Sequence, residues 1–326
     1  MKKTALITGA RGQDAFYLGK LLLSKNYIVV LLTRNNSDTY FKKVFFEYGN
    51  IAIENRNIFV REIDCTNLDS LRSVFKEFEI DEIYNLGGQS SVLDSFNHPT
   101  LSNEQPLIIF DNFLKIIKQV NNEIKMFQAS SSEIFEDVGK VKINEHSKLK
   151  ALSPYAEGKL KVHEKILDEK NKGKLFLVSG IMFNHESVKR SKKYLFGYLS
   201  DTVLKIKDKE IDKFEISNLN TVRDWGYSEE YVEAMWKTLN FESPDTYIIS
   251  TGISYTVKEI IEHALGLFNL KIENHVIEKL DKKRNYDVLE KYSDPSKINK
   301  KLSWKANYDG KKVVELIINE KIKKKK

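Results

Sequence analysis

The feature that most constrains this chain is a glycine turn close to its start, Thr8-Gly9-Ala10-Arg11-Gly12-Gln13-Asp14. It follows the short apolar run Ala5-Leu6-Ile7 and precedes Phe16-Tyr17-Leu18-Gly19-Lys20-Leu21-Leu22-Leu23, whose apolar spacing is helical. The predicted order is strand, glycine turn, helix. Gly9 and Gly12 let the backbone bend tightly and approach a ligand pyrophosphate, while the helix N-terminus offers N–H groups and a positive dipole to the phosphates. Ala15 stands where a third glycine is common, and alanine is tolerated there. The turn predicts a dinucleotide at the first βα connection, with Gly9, Arg11, Gly12, Gln13 and Asp14 around it.

Periodicity carries an α/β alternation through the first half. Strands are predicted at Ala5–Thr8, Tyr27–Thr33, Ile58–Glu62, Glu82–Leu86, Lys125–Ala129 and Leu175–Gly180, and helices at Gln13–Ser24, Asn67–Phe78, Leu107–Val120 and Pro154–Glu169. This is the pattern of an α/β chain with a Rossmann-type doubly wound parallel sheet. Residues 1–180 are expected to form the dinucleotide-binding domain. Residues 226–252 are expected to rejoin it, through a helix at Glu229–Leu239 and a strand at Thr246–Ser250. The rest of 181–326 would form a smaller interleaved C-terminal substrate lobe with a basic tail at 321–326.

Tyr155 and Lys159 lie four apart on the predicted fourth helix and therefore on one face. An ammonium beside a phenol favours the phenolate, so this pair can take a proton from a sugar hydroxyl while hydride leaves the same carbon. The plainer reading is ordinary helix packing, and the glycine turn upstream weighs against it. Gln128-Ala129-Ser130-Ser131-Ser132-Glu133 follows a predicted strand, so its polar groups emerge at the carboxyl edge where open α/β sheets bind ligands. Its serines can position a substrate hydroxyl, and Glu133 adds an acid/base that simple alcohol oxidation does not need. Here the alternative is a loop with a serine helix cap.

Composition narrows the classes. No apolar run approaches the ~20 residues of a bilayer span. The first strand opens so near Met1 that no secretory leader is expected. The single cysteine, Cys65, excludes an internal disulfide and suits a reducing cytoplasm. The formal charge of +7 lies largely in Lys321-Ile322-Lys323-Lys324-Lys325-Lys326, which reads as a solvated end rather than a nucleic-acid or membrane patch. No metal-ligand set is expected.

Taken together the motifs resemble the extended short-chain dehydrogenases/reductases, and within them the GDP-mannose 4,6-dehydratase family. The resemblance runs from about residue 4 to about 305. It is carried by Thr8–Asp14, Ile83-Tyr84-Asn85-Leu86-Gly87-Gly88-Gln89-Ser90, Gln128–Glu133, Ser153-Pro154-Tyr155, Phe183-Asn184-His185-Glu186-Ser187, Asn218-Leu219, Arg223-Asp224-Trp225-Gly226 and Tyr231–Trp236. It implies that Tyr155 removes the C4-hydroxyl proton, with Lys159 tuning it and holding the nicotinamide ribose. Glu133 would take the C5 proton and serve the departing C6 hydroxyl, and Ser131 would hydrogen-bond the C4 oxygen. The product would be a 4-keto-6-deoxy sugar on GDP.

For the cofactor, Leu31-Leu32-Thr33-Arg34-Asn35-Asn36-Ser37 holds no acid before Asp38, whereas NAD-binding relatives place one there. Arg34 and Arg11 offer guanidinium forks suited to a 2′-phosphate, which points to NADP. The resemblance adds Asp64 as an adenine contact and Leu86, Gly87 and Gln89 along the cofactor. For the GDP-sugar it implies Ser90, Asn184, Arg190, Arg223, Arg284 and Asp287. Trp225 reads instead as buried packing, and for Asp224 the plainer alternative is a polar anchor. The family's alanine pair is Gly87-Gly88 here, its Gly-Thr helix pair is Ile109-Phe110, and its Pro-Arg-Arg-Gly is Val188-Lys189-Arg190-Ser191. These departures bear on assembly, expected as homodimer or homotetramer, and on the sugar. A GDP-heptose or an N-acetylated GDP-hexose is open beside GDP-mannose. A C4 oxidoreductase or epimerase of the same family, and a non-enzymatic nucleotide- or RNA-binding protein, are the competing readings.

Overall fold

Strand β1 (Thr4–Thr8) is buried along its whole length, as an unbroken apolar run flanked by threonines requires of a central parallel strand. The computed structural model describes residues 2–34, 57–279 and 289–325. Around β1 it builds a seven-stranded sheet from the described residues, in the order β11-β7-β5-β4-β1-β2-β3. The strands are β2 (Ile28–Thr33), β3 (Ile58–Glu62), β4 (Glu82–Asn85), β5 (Lys125–Ser131), β7 (Leu177–Met182) and β11 (Thr246–Ile249), with the two-residue β6 (Lys142–Ile143) outside the sheet. β1 pairs in parallel with β2 on one side and β4 on the other, and β2–β3 and β4–β5 are parallel too. Strand order therefore reverses between β1 and β4, the place where open α/β sheets leave a crevice at their carboxyl ends.

Helices α1 (Gln13–Ser24), α2 (Leu68–Glu77), α3 (Val92–Asn97), α4 (Pro99–Val120) and α5 (Pro154–Asn171) alternate with these strands. Lys25 is the C-cap of α1, and Asn26 takes the left-handed conformation, φ 64°, that asparagine tolerates at such a stop. Leu6, Val30, Ile83, Phe113, Ile117 and Val162 belong to one buried cluster beneath the sheet. Three α-helices of the first half match the predicted elements to within a few residues.

The exception is α4. The sequence places its start at Leu107, just after Pro106, but the helix begins at Pro99 and carries Pro106 inside. A proline lacks the N–H that would bond the carbonyl four residues back, here that of Ser102. Gly158 of α5 faces that carbonyl: a Cβ there would lie 2.3 Å from Ser102 O. The interior proline and the glycine thus meet, and α5 seats closely on α4.

Contacts divide the chain into two units. The first comprises Met1–Ile134, Leu149–Ile181 and Val232–Tyr247; the second comprises Phe135–Lys148, Met182–Tyr231 and Ile248–Lys326. The second contains β8 (Asn184–Glu186), α6 (Leu195–Lys207), β9 (Phe214–Ser217) and β10 (Val222–Tyr227), after which α7 (Ser228–Leu239) returns to the first. β12 (Ser254–Thr256), α8 (Val257–Gly266), α9 (Ile272–His275), β13 (Val276–Lys279), β14 (Tyr292–Ser293), α10 (Ser296–Leu302) and α11 (Gly310–Lys325) follow. Phe196, Val203, Trp225, Ile260, Val314 and Ile318 share its own buried cluster. No helix among the described residues is long and apolar enough to cross a membrane.

Candidate active site

In the first unit the carboxyl ends of the adjacent strands β4, β1, β2 and β3 carry the predicted cofactor positions. Gly9 has φ +72°, and a Cβ on it would lie 2.9 Å from Gly87 Cα, so the turns after β1 and β4 touch through bare backbone. The Gly12 N–H closes the turn on Gly9 O at 2.8 Å, and Ala10 N–H bonds Leu32 O at 3.2 Å. Thr8 Oγ1 accepts from the Gly87 N–H at 2.7 Å, which ties the two turns together. Gly12 caps α1 without a side-chain hydrogen bond, whereas Asn67, Ser91, Ser153 and Thr256 each cap their helices with one. Gln13 is buried at the helix start, Asp14 lies in the first turn and Arg11 is exposed between the two glycines.

Arg34 is exposed at the end of β2. Asp64 follows β3 and accepts from Thr66 N–H at 2.9 Å and Thr66 Oγ1 at 2.8 Å. Those two bonds, with the Arg34 charge adding to them, hold its carboxyl below the usual range. After β4, Leu86 and Gly87 are half-buried, while Gln89 and Ser90 are exposed.

The predicted catalytic residues lie one strand end farther along, at the end of β5 and on the helix packed against it. Ser131 closes β5, and Glu133 sits in the 3-10 turn Ser132–Ile134, its N–H bonding Ser131 Oγ at 3.2 Å. Helix α5 packs on β5 and on this turn. Ser153 caps α5 through Ala156 N–H at 3.1 Å, and Pro154 opens it, so Tyr155 stands in the first turn and Lys159 one turn deeper. Lys159 Nζ donates to Ala129 O at 2.8 Å and lies 5.9 Å from the Tyr155 ring centroid. Lys159 is 8% exposed, and burial lowers its pKa to about 8. The structure therefore brings Ser131, Glu133, Tyr155 and Lys159 to one edge of one unit.

In the second unit Asn184 on β8 lies opposite Trp225 on the parallel β10. Arg190 Nε lies 3.1 Å from Glu186 Oε2, and its guanidinium stacks 3.5 Å over the Tyr194 ring. Arg223 is buried on β10 and donates to Val222 O at 2.9 Å. Asp224 is fully buried and accepts from Thr251 N–H, Thr251 Oγ1, Gly252 N–H and Ser293 Oγ. Burial pushes its carboxyl upward against those four donors. It is the polar anchor the sequence suggested, and Trp225 packs against Phe196 with ring centroids 5.5 Å apart. Arg284 and Asp287 lie outside the described residues.

Sequence reasoning missed the groups that hold these side chains. Glu186 and Tyr194 clamp Arg190, Thr8 ties the two turns, and Gly158 seats α5. A signal was present for Thr8: it is a hydroxyl residue ending an otherwise apolar strand.

A doubly wound sheet with a bare glycine turn at its switch point, and a Tyr–Lys pair on the helix after β5, defines a protein of the short-chain dehydrogenase/reductase class. The profile of the family described as GDP-mannose 4,6 dehydratase matches residues 6–317. The chain belongs to that family. GDP-mannose 4,6 dehydratase 2 of Caenorhabditis elegans is 31% identical over 323 residues, covering 93% of this chain and 85% of that one. The human GDP-mannose 4,6 dehydratase is 32% identical over 325 residues, covering 93% and 87%. A dTDP-glucose 4,6-dehydratase from Bacillus anthracis, solved in complex with NAD, has the same fold, with a TM-score of 0.83 at 18% identity over 98% and 97% of the two chains.

Proposed function

We propose that the chain is an NADP-dependent GDP-sugar 4,6-dehydratase. The observation that carries the reading is the meeting of Tyr155, Lys159 and the Ser131–Glu133 turn at one sheet edge. We assign cofactor binding to the first unit and GDP-sugar binding to the second.

The residues fit a dinucleotide. The Gly9–Gly87 contact leaves no room for a Cβ and presents main chain, and α1 opens on Gly12, which gives it no side-chain cap. Gly9, Arg11, Gly12, Gln13 and Asp14 would hold the pyrophosphate side, Leu86, Gly87 and Gln89 the ribose side, and Asp64 the adenine. Arg34 at the end of β2, where NAD-binding relatives carry an acid, favours the 2′-phosphate of NADP.

When bound, the nicotinamide supplies a hydride acceptor for C4 and a hydride donor for C6. Tyr155 takes the proton of the C4 hydroxyl. The Lys159 ammonium stabilises the phenolate, and its own hold on Ala129 O fixes where that charge sits. Ser131 donates to the developing C4 carbonyl oxygen. Once C4 is a ketone, the C5 proton is acidic. Glu133 removes it and returns a proton to the C6 hydroxyl, which leaves as water. Tyr155 then gives the proton it took from the C4 hydroxyl to C5, so the atoms balance as the loss of one water.

Asn184, Arg190, Arg223 and Ser90, with Arg284 and Asp287, are the proposed substrate contacts. Glu186 and Tyr194 hold the Arg190 guanidinium in one plane, as bidentate phosphate binding favours. Leu93, Phe96, Leu101 and Ile108 are exposed apolar side chains on α3 and α4, which supports a homodimer or homotetramer.

The test is incubation with GDP-mannose and NADP, followed by mass spectrometry of the sugar nucleotide. A product lighter by one water is expected. A C4 epimer, or a ketone with no loss of water, would replace this reading with the C4 oxidoreductase.

A further inference from the structure

A buried run of polar groups links the glycine turns to Lys159, and both of its ends dictate its direction. The Gly87 N–H can only donate, so Thr8 Oγ1 accepts from it at 2.7 Å and passes its own proton to Asn85 Oδ1 at 2.8 Å. Asn85 Nδ2 must then donate, and it reaches Gln128 Oε1 at 2.7 Å. Gln128 is left with its Nε2 as a donor, which meets Ala129 O at 3.1 Å. That same oxygen takes the Lys159 ammonium at 2.8 Å. Thr8, Asn85 and Gln128 are 3%, 2% and 3% exposed, so the run is shielded from water that could substitute for a lost partner. Turning either amide over would set acceptor against acceptor in a low-dielectric interior.

We propose that Gln128, oriented by Asn85 and Thr8, is a positioning residue for Lys159: it fixes the Ala129 carbonyl oxygen and shares it with the ammonium, which holds that ammonium at one height beside Tyr155. The proposal rests on the reading of Lys159 as one of the catalytic pair. A carbonyl oxygen has two lone pairs, so both donors can be served at once. With Gln128 as its second donor, the oxygen is held from two directions, and the peptide loses freedom to follow the flexible lysine chain. Ala129 also lies two residues before Ser131 on β5, so the same restraint steadies the approach to the Ser131–Glu133 turn.

The test uses the whole chain with 13C at lysine Cε and no added nucleotide, the Lys159 resonance being assigned by its loss in Lys159→Met. Gln128→Met keeps the side chain's size and removes both polar contacts. The Lys159 resonance is expected to move while those of exposed lysines stay. With cofactor and GDP-sugar added, kcat should fall about tenfold or more, with KM and the cofactor Kd within about threefold. A folded Gln128→Met protein with an unmoved Lys159 resonance and an unchanged kcat overturns the proposal.

Should Gln128→Met not fold, Gln128→Glu keeps the acceptor for Asn85, and at a pH where a titration of its 13C-labelled carboxyl shows it ionised it cannot donate to Ala129 O. An unmoved Lys159 resonance there overturns the proposal equally. If the parent chain turns over no GDP-sugar, the functional reading fails, and the lysine resonance still decides the positioning role.

Discussion

The two units solve the problem of presenting polar groups in opposite ways. In the first, the candidate cofactor surface is main chain: Gly9 against Gly87, with a helix opening on Gly12. In the second, the candidate phosphate groups are long side chains held by partners of their own, Arg190 by Glu186 and Tyr194, and Arg223 by a backbone carbonyl. A main-chain surface is set once the strands pair and costs no side-chain entropy. A side-chain surface must be held at each residue, because an ordered arginine gives up about 2 kcal/mol of rotamer freedom. The difference teaches where tolerance lies: glycines admit no replacement, whereas clamped arginines can be retuned by changing the clamp.

The largest effect expected from breaking this division is on chemistry, in the first unit. Tyr155→Phe should lower kcat by about a thousandfold while cofactor Kd stays within about twofold, read by steady-state kinetics and calorimetry. Glu133→Gln should stop solvent deuterium from entering C5 while reduced cofactor still accumulates in a single turnover. Full dehydration by this variant would reduce Glu133 to a turn residue.

Next comes the anchor of the second unit. Asp224→Asn puts an NH₂ where two of four donors point, and should cost about 2–3 kcal/mol in urea unfolding. Affinity for GDP should drop with it and that for NADP should not. Equal losses for the two ligands would erase the proposed division of labour.

Arg34→Ala sharpens the comparison inside the first unit. NADP should weaken by about tenfold to a hundredfold and NAD hardly at all, the worth of one charge-assisted bond to phosphate. Equal losses in calorimetry would assign this arginine to the fold.

The smallest expected change in stability concerns Lys159. Burial brings its pKa to about 8 from an ordinary 10.5, so the folded chain binds fewer protons than the unfolded one between those values. Its burial penalty is full below about pH 8 and is relieved as pH rises toward the unfolded value. Lys159→Met should therefore raise stability by about 1–2 kcal/mol at pH 7, with the gain shrinking as pH climbs past 8, while turnover is lost. In the parent chain kcat should fall as the ammonium deprotonates above about pH 8.

What could be read ahead of the structure follows the same division. The turn at Gly9–Gly12, the Tyr155/Lys159 spacing and the apolar runs of the inner strands were readable because each is a local constraint. A positive φ admits glycine, helix period puts residues four apart on one face, and a strand buried on both faces favours apolar residues along most of its length. The start of α4 was not readable. Pro106 looked like a helix opening, and only the packing of Gly158 against Ser102 O explains how a proline is accommodated inside the helix.

The sequence alone determined the α/β alternation, the glycine turn and the Tyr–Lys pair, since these are written in short-range spacing, and its motifs carried the resemblance to the family. Tertiary structure decided what spacing cannot carry. It set Gly87 against Gly9 across 77 intervening positions of chain, put Glu186 and Tyr194 on Arg190, and ran Thr8, Asn85 and Gln128 into one polar line ending beside Lys159. The physical reason is that hydrogen-bond partners are chosen by strand order and burial. Residues far apart in the chain become hydrogen-bond partners once the sheet has closed over them.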